Sequence, residues 1–183
     1  NSNNNNNYNG DNDSNIAAVT LVMGSEGGYY LGAIALAQSL IDSGNNWKRV
    51  AMVTPEVPAE ARSQLRALWV VVEVPPILCN HSHNLDPLVF DLQGERYQAG
   101  IKKWAPTCTK FQAWRMTQFE RVVFMDSDLL VVGNIDDIVY GYSNASFVAA
   151  PEAFPPDTFN SGLMVIQPSE QSFQHLLEMN QKV

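Results

Sequence analysis

Basic residues are scarce in this chain: 11 Lys and Arg stand against 19 Asp and Glu, a formal net charge of −8. Non-specific nucleic-acid binding depends on neutralising phosphates with Lys and Arg, and no basic run is present, so nucleic acid is excluded as a partner. A nucleotide can still be held through a metal, backbone N–H groups and a few cations. Long apolar runs are missing too; none approaches the 18 residues of a membrane span, and no secretory signal is visible. The chain opens on Asn1 rather than Met, so targeting stays open. Only two cysteines occur, Cys79 and Cys108, without disulfide density or Cys-x-x-Cys spacing, and two free or buried thiols are expected. Asn80-His-Ser82 and Asn144-Ala-Ser146 match the N-glycosylation sequon, as many cytosolic sequences do by chance. Neither a Gly-Lys-Ser/Thr phosphate loop nor a Gly-x-Gly-x-x-Gly fingerprint is found.

What is present fits one domain: 183 residues, 45% of them hydrophobic, are enough for a core. Nine of the first 15 residues are Asn. Such a segment buries too little apolar surface to offset its ordering entropy, so residues 1–15 are expected to be disordered and the domain to cover residues 16–183. Residues 17–23 read as a buried strand, 24–28 as a Gly-rich loop, and 29–41 as a helix with Ala33, Leu36, Ala37, Leu40 and Ile41 at helical spacing. A strand follows at 49–53, a helix at 58–68 with Pro58 in its first turn, and a strand at 69–74. This alternation predicts an α/β fold, a doubly wound and mostly parallel or mixed sheet.

Residues 75–105 show no period. His81 and His83 there are better read as surface residues than as metal ligands. Residues 107–117 read as a helix turning Phe111, Trp114 and Met116 inward, with Lys110 on a solvated face. Beyond residue 129 the chain is expected to stay extended to 132 and to turn at Gly133-Asn134. A helical turn at 135–139, strands at 147–150 and 163–166, and a last helix capped by Ser169 follow. That helix should turn Phe173, Leu176, Leu177 and Met179 inward, with His175 in a packing role.

The most informative stretch is Arg121-Val-Val-Phe-Met-Asp-Ser-Asp128. Its apolar, β-branched run predicts a strand covered on both faces. If the extended conformation continues through Ser127, Asp126 and Asp128 point to one side, at the strand end where ligands bind in open α/β sheets. Two hard oxygen ligands there suit Mn²⁺ or Mg²⁺ beside a phosphate. The pair alone is cheap, for Asp11-Asn-Asp13 matches it as well; the preceding strand separates the two.

Phe124-Met-Asp-Ser-Asp-Leu-Leu-Val-Val-Gly-Asn-Ile-Asp136 resembles the metal-binding stretch of glycosyltransferase family 8, the glycogenin-like retaining transferases. Thr158-Phe-Asn-Ser-Gly-Leu-Met-Val-Ile-Gln-Pro-Ser169 resembles the family's second block. Gly32-Ala-Ile-Ala-Leu-Ala-Gln-Ser-Leu40 is similar to its first helix, and Thr109-Lys-Phe-Gln-Ala-Trp114 to its Thr-Lys helix. Within the family, the chain looks closer to plant-type xylan glucuronosyltransferases, with the glycogenin branch as the other near relative.

The resemblance implies a GT-A fold, a Rossmann-like α/β/α sandwich truncated at its C-terminal end, and a UDP-sugar donor held with Mn²⁺. The acceptor would be a glycan or a protein, a homodimer is conceivable, and the compartment would be cytoplasm or Golgi lumen. Residue by residue, it implies that Asp126 contacts ribose and metal and Asp128 ligates the metal, with Ser127 between them in the donor contact. Leu21 and Tyr29 would hold uracil and ribose, Lys110 the donor phosphate, and Asn160 and Ser161 the sugar. Glu152 stands where glycogenin-type members carry Asp. The family's Asp-Gln-Gly block and metal-ligating His are expected beyond Val183, so the catalytic residues are unknown and the fragment alone is expected to be inactive. Two other readings are a haloacid-dehalogenase-type phosphatase with Asp126 as nucleophile, and a non-catalytic sugar-nucleotide-binding relative.

Overall fold

The computed structural model describes residues 15–24, 28–80, 105–152 and 158–182. Asp11 and Asp13, His81 and His83 lie outside them. Among the described residues, six strands form one sheet in the order β3-β2-β1-β4-β6-β5. They are β1 (Ile16–Val22), β2 (Lys48–Val53), β3 (Val70–Glu73), β4 (Arg121–Met125), β5 (Phe147–Pro151) and β6 (Phe159–Ile166). The first four of that order pair in parallel. Strand β6 lies antiparallel to both β4 and β5, so the sheet is mixed and mostly parallel, as the β-α alternation predicts.

Alternation along the strands divides the core into two layers. Val123 and Met125 of β4 face the first, with Ala18 and Val22 of β1. Helix α1 (Tyr29–Asp42) and the short α2 (Ala59–Leu65) and α3 (Asp137–Tyr140) cover that face. Val122 and Phe124 face the other layer, with Leu21, Met52 and Met164. There a 3-10 helix (Ala105–Arg115) covers the sheet through Ala113, while Met116 just beyond it adds to the same layer. Helix α4 (Glu170–Lys182) packs on the 3-10 helix rather than on the sheet. Arg115 lies 5.1 Å from the Phe173 ring centre, and the Ser169 N–H donates to the Trp114 carbonyl at 2.9 Å. Ser169 caps α4 as expected, its hydroxyl accepting from Ser172 N at 3.2 Å.

Several expectations change. Asn15, assigned to the tail by composition, accepts backbone N–H bonds from Glu120 and Arg121. Ile41 is 40% and Met179 46% exposed, and His175 is exposed rather than packed, because each of their helices covers only one layer. Helix α2 starts after Pro58 and stops at Leu65. The segment 105–115 winds as a 3-10 helix, with Phe111 and Trp114 only half-buried. Its polar side chains are tied to the strap after β3: Thr109 Oγ1 accepts from Ile77 N at 2.9 Å, and Gln112 Nε2 donates to the Pro75 carbonyl at 3.0 Å. These anchors fix its path independently of helix propensity, which Thr and Cys do little to support.

Three contacts fasten the segment after β4 onto α1 and the turn that follows it. The Val131 N–H donates to Ser39 Oγ at 3.0 Å, and Asn45 Nδ2 to Asp136 Oδ1 at 2.9 Å. Nearer the end of β4, the α1 backbone closes on the Ser127 carbonyl so tightly that a Cβ on Gly32 would sit 2.3 Å from that oxygen. In an ordinary helix interior Gly→Ala stabilises by about 1 kcal/mol. Here the sign reverses: Gly32→Ala is expected to destabilise by roughly 2 kcal/mol through overpacking, about 4–8 °C in Tm. A thermal melt equal to or above the parent's would refute the close approach.

Candidate functional site

Strand β4 ends in the core and delivers Asp126 to the carboxyl edge of the sheet. There the Asp126 N–H donates to the Gly162 carbonyl of β6 at 2.8 Å. The strand does not continue. The Leu129 N–H donates to the Asp126 carbonyl at 3.1 Å, so residues 126–129 form a turn, and 129–132 are irregular rather than extended. The same-side argument from strand alternation therefore fails for the two carboxylates. The turn instead leaves Asp126 half-buried and Asp128 exposed.

Lys110 is not on a solvated face. Its side chain is 13% exposed, and its ammonium lies 2.7 Å from Asp126 Oδ1 and 2.9 Å from Oδ2. It also donates to Ser161 Oγ at 3.0 Å, and it lies 5.4 Å from the Phe124 ring centre. One cation thus joins the 3-10 helix, the end of β4 and β6. Asn160, beside Ser161, accepts from Gly162 N at 2.8 Å and donates to Glu152 Oε2 at 3.0 Å. Gly162 leaves room for this: a Cβ there would stand 2.8 Å from Asn160 Oδ1 and 3.3 Å from Asp126 Oδ2. Five residues singled out in the sequence, Lys110, Asp126, Glu152, Asn160 and Ser161, are thereby brought into one cluster.

The others are placed differently. Leu21 lies in β1 two positions past the Val19–Phe124 pair, level with Asp126, but only 7% exposed and facing the layer of Phe124. Tyr29 is 49% exposed at the start of α1 and borders a crevice of about 40 Å³ with Met23, Gly24 and Pro58. Ser127 is buried, its carbonyl against Gly32.

Beside Lys110 and Ser161 opens a cavity of about 1030 Å³ between the 3-10 helix, α4 and the β5–β6 pair. Aromatic rings form one wall: Trp114 and Phe147 stack at 5.8 Å, and Phe147 meets Phe159 edge-on at 5.3 Å.

Cys79 and Cys108 are disulfide-bonded, with Cα atoms 5.2 Å apart, not free thiols. Their separation of 29 residues carries no pairing signal in a chain with two cysteines; only the fold brings them together. The bond joins the strap after β3 to the 3-10 helix two residues before Lys110, and the adjacent Cys79 N–H donates to the Ala105 carbonyl at 2.7 Å. Thr109, Gln112 and Gly162 also shape the site, and none of them has a sequence signature outside its neighbours.

The family model described as Glycosyl transferase family 8 matches residues 20–183. Glycogenin-1 of Homo sapiens is 33% identical over 152 residues, which are 82% of this chain and 39% of that protein. UDP-glucuronate:xylan alpha-glucuronosyltransferase 1 of Arabidopsis thaliana is 29% identical over 150 residues, 82% of this chain and 20% of that protein. The chain thus spans about two fifths or less of the length of these relatives. Among solved structures, an active-site mutant of LgtC matches with a TM-score of 0.61 at 13% identity, over 91% of this chain and 65% of that one.

The disulfide generates a test of how Lys110 is held. Closing a loop of 29 residues' separation stabilises by about 3–4 kcal/mol on the chain-entropy model. Urea unfolding of the oxidised protein is expected to have its midpoint lowered by dithiothreitol, and Cys79→Ser should reproduce the loss without reductant. Equal midpoints in all three would show that the cross-link does not form.

Proposed function

The chain belongs to glycosyltransferase family 8, and on that premise we propose that it forms the donor-binding part of a retaining, UDP-sugar-dependent transferase that uses Mn²⁺. The sheet with helices on both faces is the Rossmann-like α/β arrangement of GT-A glycosyltransferases. The family match also removes the phosphatase alternative built on Asp126 and Asp128. The transferred unit is a hexosyl or glucuronosyl group, passed to a glycan or protein acceptor. The relatives support this range: one is a glycogenin, another a UDP-glucuronate:xylan glucuronosyltransferase.

One observation carries the proposal. Lys110, Asp126 and Ser161 converge at the carboxyl edge of the sheet, where ligands of open α/β folds bind. The Lys110 ammonium has three donors, which Asp126 and Ser161 share. It can turn from Asp126 to a diphosphate oxygen within the same small volume, holding the leaving group while the sugar–phosphate bond breaks. Asn160, oriented by Glu152 and Gly162, presents an amide at the place proposed for the sugar.

The donor set fits a hard divalent cation. Both Asp126 oxygens face the Lys110 ammonium, which has to turn away to admit a cation, and Asp128 is exposed beside it. Among the described residues no group of three or more His, Cys, Asp or Glu could hold a metal. Phosphate oxygens and water would therefore complete the shell, a usual arrangement for a cation bound by one or two carboxylates. When bound there, the cation supplies Lewis-acid stabilisation of the charge that develops on the departing diphosphate.

Two variants test this, both read by calorimetry on the intact chain. Asp128→Asn is expected to weaken Mn²⁺-dependent UDP binding at least about tenfold, the scale of a lost charged contact. Unchanged affinity would sink the metal assignment and favour a binding relative without catalysis. Lys110→Met should move the two ligands in opposite directions. Mn²⁺ alone should bind roughly fivefold tighter or more, since neighbouring like charges repel by about 1–4 kcal/mol. UDP with Mn²⁺ should bind about tenfold weaker. A parallel loss of both would mean that Lys110 only maintains the fold.

A further inference from the structure

The turn between α3 and β5 contains a sequence feature that donor chemistry does not use. Asn144-Ala145-Ser146 is an N-glycosylation sequon, and the fold presents it fully. The Ala145 N–H donates to the Tyr142 carbonyl at 2.9 Å, which closes a turn with Asn144 near its tip. Arg121 clamps the backbone on either side of that tip. Its guanidinium donates to the Ala145 carbonyl at 2.6 Å and to the Ser143 carbonyl. These two anchors flank Asn144, and both Asn144 and Ser146 are exposed.

The position suits a bulky modification. Phe147 and Val122 both align with Ile166 across β6, so the turn lies at the sheet edge where β4 begins. Asp126 lies at the other edge, four residues along β4, or about 13 Å at 3.3 Å per residue. Ser146 and Phe147 border the cavity beside Lys110 but Asn144 does not, so a large polar substituent on Asn144 starts outside that cavity.

A sequon alone is common by chance. The second, independent observation is the Cys79–Cys108 disulfide, because structural disulfides persist in oxidising compartments and are rare in the cytosol. That same environment is where Asn residues in sequons are glycosylated. We propose that this chain works in the oxidising lumen of a secretory compartment and carries an N-linked oligosaccharide on Asn144. Both features hold whichever donor the site at Lys110 takes.

The chemistry is balanced within that compartment. The Asn144 amide nitrogen gives up one proton and bonds to the anomeric carbon of an oligosaccharide carried on a lipid diphosphate. The sugar–phosphate bond breaks and the lipid diphosphate leaves. The Cys79 and Cys108 thiols give up two protons and two electrons to a protein disulfide, which is reduced to its dithiol as the S–S bond forms.

The test uses the protein purified from the cells that make it, digested without reductant and mapped by mass spectrometry before and after enzymatic removal of N-glycans. The expected result has two parts. Position 144 reads as aspartate only after deglycosylation, and the Cys79 and Cys108 peptides stay linked until reductant is added. An unmodified Asn144 in the native protein, or both cysteines alkylated without reductant, overturns the proposal. In a second measurement, the chain with Asn80→Gln is made in a secretory host that glycosylates. Adding Asn144→Gln should remove one glycan mass step while leaving the thermal melt in place. Retention of that step overturns the assignment to Asn144.

Discussion

The Lys110 ammonium sits within 3 Å of both Asp126 oxygens, and the surrounding elements are arranged to keep it there. The 3-10 helix that carries it is a poor helix by sequence, so its position is set from outside. Thr109 and Gln112 bond to the strap after β3, Cys108 is cross-linked to Cys79, and α4 packs on its outer side. The carboxylate is held from the opposite direction by β4, whose four buried residues leave no freedom at Met125, and by the Asp126–Gly162 backbone bond. A half-buried pair of this kind contributes little to stability, because desolvating both ions offsets most of their attraction. Such close positioning is better explained by what the pair can exchange. In the proposed donor complex, the ammonium and the carboxylate would become two separate binding groups, one for the diphosphate and one for the cation.

The same arrangement bears on how an acidic protein would accept the proposed anionic donor. With a net charge of −8, the long-range field repels a nucleotide diphosphate. Attraction must then be local, and screening over about 8–10 Å at physiological ionic strength favours local terms over distant ones. Lys110 provides one such term. On the proposed function, the Asp126–Asp128 pair would provide another indirectly, its negative charge gathering a cation for the phosphates to share. The exposed Asp128 and the half-buried Asp126 differ in what they offer that cation: one reaches outward, and the other is already neutralised.

Much of this was legible in the sequence because the relevant signals were local. The run Val122-Val-Phe-Met125 can hardly be other than a covered strand, and the β-α alternation before it points to a parallel sheet. Ser169 announces the start of α4. The residues named from short motifs, Asp126, Asn160 and Ser161, fall together beside Lys110. Reading failed where distant residues decide the outcome. The burial of Lys110 depends on β6, 51 residues away, so helical periodicity assigned it to solvent. The turn at Ser127 depends on Gly32 approaching its carbonyl, which no strand rule anticipates. Cys79 and Cys108 became partners only through the docking of the 3-10 helix on the strap. Ile41 and Met179 were assigned inward by spacing, although their helices cover only one layer.

The sheet therefore presents two edges with different chemistry. At the carboxyl ends of its parallel strands lie the Asp126–Leu129 turn and the Lys110 cluster, whose side chains are each constrained by a neighbour. At the opposite edge the chain is bounded by the Arg121 clamp, a polar turn and solvent. This division follows from parallel topology, which sends all crossover connections from one edge over the faces to the other and so separates ligand-binding loops from return loops. A substituent on the return edge can grow without cost to the binding edge, whereas one added methyl at Gly32 reaches the site through the backbone. Tolerance and sensitivity in this protein are thus set by which end of β4 a residue adjoins.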